Sequence, residues 1–269
     1  MCELFALSAR NPATVTLSLN VFAKRGGLTG PHKDGWGIAY YEDGGVLLIR
    51  DSGMASTSPW VTFVEEQAPA SCTVISHIRR ATQGAVELRN THPFTRELGG
   101  TSHVFAHNGD LKDLDRFYDP ARARFRPIGD TDSELAFCIL MERMAEIWLA
   151  GTTPPTRDDR LGIFKDFAAD MVELGAANFL YADGDCLFAH GHRRKQDDGE
   201  IRPPGLHMLA QACSAQGAAI ATDGITVTGK NQQVLLFASV PLTNEPWIPL
   251  EKGHVVMVAD GGECVISGS

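Results

Sequence analysis

Apolar and polar positions follow a strand-like period at both ends of this chain and a helix-like period in its middle. Glu3–Ser8 reads as a short strand. Asn11-Pro12 then predicts a helix start, with Asn as N-cap and Pro at the first helical position; the helix runs through Leu17, Leu19 and Phe22 to Gly26-Gly27. A glycine-rich polar loop, 30–37, precedes two strands, Ile38–Tyr41 and Val46–Ile49, joined by the hairpin signal Glu42–Gly45. Ser58-Pro59 opens a short helix that ends before Pro69. Cys72–Ile78 is a buried strand, Thr91–Phe94 a loop, and Ser102–Ala106 a further strand that delivers His107-Asn108-Gly109-Asp110. The stretch 113–127, rich in Arg, Asp and Pro, reads as an exposed loop or a broken helix.

Two helices follow. Thr131 and Glu134 stand at capping-box spacing, and Leu135, Phe137, Ile139, Leu140, Met144, Ile147 and Trp148 make a broad apolar face that ends by Gly151. Thr156 caps the next helix, which stops at Gly175. Asn178–Ala182 and Cys186–Ala189 form a hairpin over Asp183–Asp185, and 192–205 is a polar loop. The rest reads as strands at Leu206–Leu209, Ala219–Thr222, Val234–Val240 and His254–Val258. Strands, two long helices and more strands, with hairpin turns throughout, point to an α+β fold with antiparallel sheets and helices packed outside them. No internal repeat or linker divides the chain, so the expectation is one domain spanning 1–269.

Composition narrows the class without naming it. Of 269 residues, 43% are hydrophobic and 21% charged, as in an ordinary globular protein with a sizeable core. A net charge of −9 argues against a nucleic-acid surface. No run of about 18 apolar residues suggests a membrane span, and no signal peptide is visible, so a cytoplasmic protein is expected. The six cysteines contain no C-x-x-C pair, which argues against a zinc site or a disulfide framework. His190-Gly191-His192 lacks a third ligand at a persuasive spacing and reads as a strand-end pair; neither metal nor cofactor is expected.

The chemistry begins at Met1-Cys2-Glu3-Leu4. Met removal before a small residue would leave Cys2 as the first residue, with a thiol of pKa ~8.5 beside an α-amine of pKa ~7.7–8.0, a nucleophile carrying its own base. Asn108 and the Gly109 N–H offer donors that can converge on an oxyanion, although Asn-Gly is also an ordinary turn. Arg79 or Arg80, at the end of a buried strand, can clamp a carboxylate bidentately, although strand ends are often simply solvated. Asp132 can take up an ammonium, or can serve the helix dipole alone. Together these groups suit an α-amino acid with an electrophilic side-chain carbonyl.

The chain resembles the class II (N-terminal nucleophile) glutamine amidotransferases, most closely their stand-alone YafJ-type members. The matching stretches are Met-Cys-Glu-Leu at the start, Gly-Pro-His-Lys-Asp-Gly-Trp-Gly-Ile (30–38), His-Ile-Arg (77–79), Thr-His-Pro-Phe-Thr-Arg-Glu-Leu (91–98), Ala-His-Asn-Gly (106–109), Thr-Asp-Ser-Glu (131–134) and Pro-Leu-Thr (241–243). The resemblance implies a four-layer αββα sandwich of two antiparallel sheets. It further implies Cys2 as nucleophile, Asn108 and Gly109 as oxyanion hole, Arg79 as ligand of the substrate α-carboxylate and Asp132 of its α-amine. Thr82 falls where a further carboxylate contact is common, and Arg80 stands where synthases of the family often carry Trp. The implied reaction is hydrolysis of the glutamine γ-amide through a γ-glutamyl thioester. Two other readings stay open: a hydrolase of γ-glutamyl peptides or amides, and a non-catalytic regulatory protein that keeps the fold. Any ammonia-accepting synthase would be a separate partner.

Overall fold

The structure, a computed structural model, describes residues 2–17, 26–27, 30, 32–196, 198–213, 220–222, 225–228 and 232–267. In chain order the first half holds β1 (Glu3–Leu17), β2 (Trp36–Glu42), β3 (Gly45–Asp51), α1 (Pro59–Gln67), β4 (Ala70–Ile78), β5 (Phe94–Leu98) and β6 (Thr101–Leu111). Then come α2 (Asp132–Trp148), α3 (Arg157–Leu174), β7 (Gly175–Ala182), β8 (Cys186–Gly191) and a small hairpin of β9 (Arg194–Lys195) and β10 (Ile201–Arg202). The last strands are β11 (His207–Cys213), β12 (Ile220–Thr222), β13 (Ile225–Thr228), β14 (Gln232–Ala238), β15 (Ile248–Pro249), β16 (His254–Ala259) and β17 (Glu263–Ser267).

These strands make two antiparallel sheets. One runs β15-β11-β14-β1-β4-β2-β3, with β13 pairing the far end of β1 and β12 pairing β13. The other runs β17-β16-β8-β7-β6-β5. Period-two alternation sends each strand's side chains into different layers. Leu4 and Ala6 of β1 face Val104 and Ala106 of β6, Leu180 of β7 and Val256 of β16 between the sheets. Phe5 and Leu7 point the other way, into a cluster closed by Val61 and Val64 of α1. Phe105, Phe179 and Phe188 leave the second sheet on its outer face and meet Phe137 of α2 and Phe164 and Phe167 of α3. The order of layers is therefore α1, sheet, sheet, α2 with α3, an α+β αββα sandwich.

The helix caps follow the sequence. Thr131 Oγ1 accepts from the Glu134 N–H at 3.2 Å and Thr156 Oγ1 from the Asp159 N–H at 3.2 Å. Glu134 does not complete a reciprocal box. Its carboxylate instead takes the Gly129 and Ile128 N–H groups and pairs with Arg96 at 2.6 Å. Both long helices lie on the second sheet; among the described residues the short α1 covers the first.

One element is corrected. Asn11-Pro12 does not start a helix; β1 continues through it to Leu17. The pairing of β1 with β4 shifts register between Ser8 and Ala13, and an irregularity of that kind tolerates a proline without costing a ladder bond. The Gln232 carboxamide replaces a strand neighbour there, donating to the Asn11 C=O at 3.0 Å and accepting its N–H at 2.7 Å. Residues 18–25 of the expected helix lie outside the described residues. The strands β5, β9, β10, β13, β15 and β17 were not foreseen, β9 and β10 falling in the expected loop 192–205; they are short or, like Phe94–Leu98, mostly polar.

Arg160 ties the helix layer to the second sheet. Its guanidinium meets Asp183 at 2.8 Å and Asp185 at 2.6 Å in the β7–β8 turn, and both Arg160 and Asp183 side chains are buried, at 3% and 0% exposure. Arg160→Met should cost about 3–5 kcal/mol, because Asp183 would keep a buried charge with no counter-ion. Urea denaturation measures this; a loss under about 1 kcal/mol would show that the pair behaves as a surface one.

Candidate active site

The first sheet brings the N-terminal residues to its centre, because β1 is held between β4 and β14. Leu4 pairs with His77 and Phe5 with Ala238, so the residues just beyond the two neighbouring strands, Arg79-Arg80 and Ser239, close around the start of β1. The Cys2 thiol sits across the Arg80 peptide, accepting its N–H at 3.2 Å and donating to its C=O at 3.4 Å. Burial pushes the thiol pKa up, opposed by the Arg80 N–H and by the charge of Arg79, while Asp132 pushes it further up. The resting group is thus a neutral thiol: a thiolate would keep the N–H bond and face the carbonyl unfavourably.

Ser239 continues the clamp on β1. Its N–H donates to the Leu4 C=O at 3.1 Å and its Oγ accepts the Leu4 N–H at 3.0 Å. Ser239 Oγ also lies 3.1 Å from Asn108 Nδ2, so a single hydroxyl bridges the two sheets. Asn108 is fully buried, and its Oδ1 has no partner among the described residues. Its main chain is fixed separately: Asn178, directly opposite on β7, donates to the Asn108 C=O at 2.7 Å. Gly109 follows where only glycine fits, since a Cβ there would lie 1.7 Å from the Ala176 carbonyl oxygen.

Asp132 opens α2, and its Oδ2 accepts the Leu111 N–H at 2.8 Å, pinning the helix start to the end of β6. Next to it, Ser133 Oγ is 2.9 Å from His107 Nδ1, while His107 Nε2 is 3.0 Å from the Ala176 C=O. The carbonyl requires Nε2–H, and burial lowers the pKa of the ring, so the neutral form carries its proton on Nε2 and leaves Nδ1 as the acceptor.

Arg79 is 2% exposed, and its guanidinium donates to backbone carbonyls: Ala85 and Gln83 at 2.9 Å, Gly84 at 3.2 Å and Asp34 at 3.5 Å. It therefore holds the 83–85 turn folded. Asp34 Oδ2 fastens the same segment through the Ala81 N–H at 2.9 Å, and the Gln83 carboxamide bonds Asp110, next to Gly109. Thr82 and Arg80 are exposed on this segment. The structure thus gathers Cys2, Asn108 and Gly109 around one end of the inter-sheet layer, with Arg79 and Asp132 close enough to act on the thiol electrostatically. Sequence reasoning missed Ser239, Asn178, Asp34 and Gln83. Asp34 stood inside a matching motif, whereas Ser239 and Asn178 belong to strands and are marked only by tertiary contacts. Among the described residues no group of three or more His, Cys, Asp or Glu side chains comes together to hold a metal.

A family model of class II glutamine amidotransferases matches residues 1–269. The chain is 36% identical over 258 residues to the "Putative glutamine amidotransferase YafJ" of Escherichia coli K12, covering 94% of this chain and 96% of that protein. It is 33% identical to a "Putative glutamine amidotransferase" of Haemophilus influenzae, covering 97% of this chain and 85% of the relative. A solved structure of a predicted glutamine amidotransferase from Pseudomonas aeruginosa superposes with a TM-score of 0.69 at 33% identity, over 98% of this chain and 99% of that one. Glutamine phosphoribosylpyrophosphate amidotransferase from B. subtilis shares the fold, with a TM-score of 0.62 at 14% identity over 99% of this chain and 49% of that chain.

The buried imidazoles yield a pH prediction. Burial lowers His77 and His190 to about 3 and His103 to about 4. Unfolded histidine titrates near ~6.5, so between there and the folded values the unfolded chain holds more protons, and stability rises with pH. The contribution is complete above ~6.5 and is lost as pH falls towards 3, by up to about 1.4 kcal/mol per pH unit for each ring. Urea midpoints should drop steeply from pH 7.5 to pH 5; a flat profile would mean that these rings protonate inside the fold.

Proposed function

The chain belongs to the class II glutamine amidotransferases, and on that footing we propose that it hydrolyses the γ-amide of glutamine, or of a γ-glutamyl amide, through a thioester on Cys2. The observation that carries the reading is the joining of the Cys2 strand to the Asn108 carboxamide through Ser239. With Met1 removed, the Cys2 α-amine takes the thiol proton and the sulfur attacks the γ-carbonyl carbon. The oxyanion is met by the Asn108 carboxamide and the Gly109 N–H. Collapse breaks the C–N bond, and the amine returns the proton to the leaving ammonia or amine. Water then attacks the thioester, freeing glutamate and the thiol.

Asp132 takes the substrate α-amine in this reading. Arg79 takes the α-carboxylate, which would replace carbonyls of the 83–85 turn as its acceptor, with Thr82 as a further contact. Coupling substrate binding to that turn would make productive binding depend on the free α-carboxylate. Arg80, exposed beside the thiol, leaves the amine side open and polar, which favours γ-glutamyl amides or peptides as a second substrate class. One domain spanning 1–269 carries these steps in the cytoplasm, without cofactor or metal and with no nucleic-acid or membrane partner. Delivery of ammonia to an acceptor would require a separate synthase.

Three measurements on one preparation test the reading. Intact mass should show active protein beginning at Cys2, and Cys2→Ala should abolish turnover while remaining folded. Asn108→Ala should lower kcat by ~10²–10³ with little change in KM; a change confined to KM would remove Asn108 from the oxyanion hole. Glutamine and γ-glutamyl anilide should both be cleaved and N-acetylglutamine should not. Equal cleavage of N-acetylglutamine would show that Asp132 does not read the amine.

A further inference from the structure

We propose that Ser239 is a positioning residue of this site: its hydroxyl holds the Asn108 carboxamide to β1 and sets which end of that amide faces the substrate. The inference rests on the roles given above to Cys2 and Asn108.

A serine hydroxyl has one proton to donate and can accept two bonds. Ser239 Oγ accepts the Leu4 N–H at 3.0 Å. With Asn108 Nδ2 as its second partner at 3.1 Å, the hydroxyl accepts twice and its own proton meets no acceptor among the described residues. Asn108 Oδ1 is then also buried and unpaired. Two buried groups are left unsatisfied, each at a cost of about 1–3 kcal/mol. Turning the carboxamide over pairs both, leaving the NH₂ as the one unpaired group in their place: Ser239 O–H donates to Asn108 Oδ1 while still accepting from Leu4. The nitrogen and oxygen of an amide are interchangeable in shape, so the hydrogen-bond partners decide the orientation. The NH₂ group then occupies the other position, as a donor without an acceptor, ready for charge that develops only during the reaction.

The backbone leaves the side chain as the single free variable. Asn178 holds the Asn108 carbonyl at 2.7 Å, and Gly109 is wedged against Ala176, so the main chain at 108–109 is already fixed. Ser239 itself is 1% exposed and grips Leu4 twice, its N–H donating to the Leu4 C=O and its Oγ accepting the Leu4 N–H, so the hydroxyl cannot drift relative to the strand that carries Cys2. One hydroxyl thereby sets nucleophile strand and oxyanion donor in register across the two sheets.

The test compares Ser239→Ala, and the near-isosteric pair Ser239→Thr and Ser239→Val, with the parent, alone and combined with Asn108→Ala. Loss of the hydroxyl in Ser239→Ala and Ser239→Val should lower kcat for γ-glutamyl turnover about 10- to 100-fold, less than loss of the donor itself, with KM within about 2-fold. Ser239→Thr should retain most of kcat, and if Ser239→Ala does not fold, the Thr/Val comparison decides alone. In the Asn108→Ala background, removing the hydroxyl should change kcat by less than about 3-fold. A loss that multiplies in full onto Asn108→Ala, or one confined to KM, would overturn the proposal. A second readout does not need turnover: the Asn108 side-chain NH₂ signals, identified by their disappearance in Asn108→Ala, should shift on loss of the Ser239 hydroxyl. Unchanged signals overturn the role of Ser239. A parent protein that cleaves no γ-glutamyl substrate, yet shows the shift, would instead overturn the proposed function.

Discussion

The structure depends on holding the first residues of a strand as firmly as its middle. Strand ends ordinarily fray. Here β1 enters between two neighbours, pairing Leu4 with His77 on one side and gripping Ser239 on the other. Leu4 is 1% exposed between the sheets and Phe5 fully buried on the opposite face. Moving Cys2 therefore means breaking ladder bonds in the centre of a sheet and opening two apolar layers together. The residues around the thiol inherit that rigidity because most of them reach it through the backbone.

Most of the fold was legible where one signal sufficed. Thr131 and Thr156 cap their helices as the spacing indicates, and Asp43-Gly44 turns a hairpin with positive φ at both residues. Asn11-Pro12 misled because a helix-start signal is local, whereas the strand there is set by Gln232, more than two hundred residues away in sequence. The candidate site residues Cys2, Asn108 and Asp132 stood out because they sit in short distinctive motifs. Ser239 and Asn178 were not: a serine at the end of Val-Leu-Leu-Phe-Ala and an asparagine in a buried strand carry no pattern, and their meaning lies in which main-chain groups they reach.

The surroundings of the site are dense with imidazoles and poor in their charge. His77 and His92 lie with ring centroids 4.1 Å apart, both buried and both held neutral by desolvation. Closely packed neutral rings fill space and would not compete for the protons of the proposed thiol chemistry. Of the charges that act on the thiol, the N-terminal amine and Arg79 lower its pKa and Asp132 raises it. A resting thiol of raised pKa between opposed charges needs a base at the moment of attack, which is the part an α-amine on the same residue would play.

Under the proposed reaction, Arg79 would be structural at rest and would still serve recognition. Its terminal nitrogens are spent on the carbonyls of Asp34, Gln83, Gly84 and Ala85, so the turn that crosses the site is folded around a buried cation. Neutral carbonyls are weaker partners for a guanidinium than a carboxylate, whose two oxygens match its fork and share its charge. A free α-carboxylate can therefore displace them at a gain, while an amide or ester at that position cannot. The displaced segment is the one whose Gln83 touches Asp110 and whose Arg80 peptide holds the thiol. Exchange of acceptors at Arg79 would reach the nucleophile through two residues of backbone, which makes the carboxylate part of assembling the site as well as of filling it.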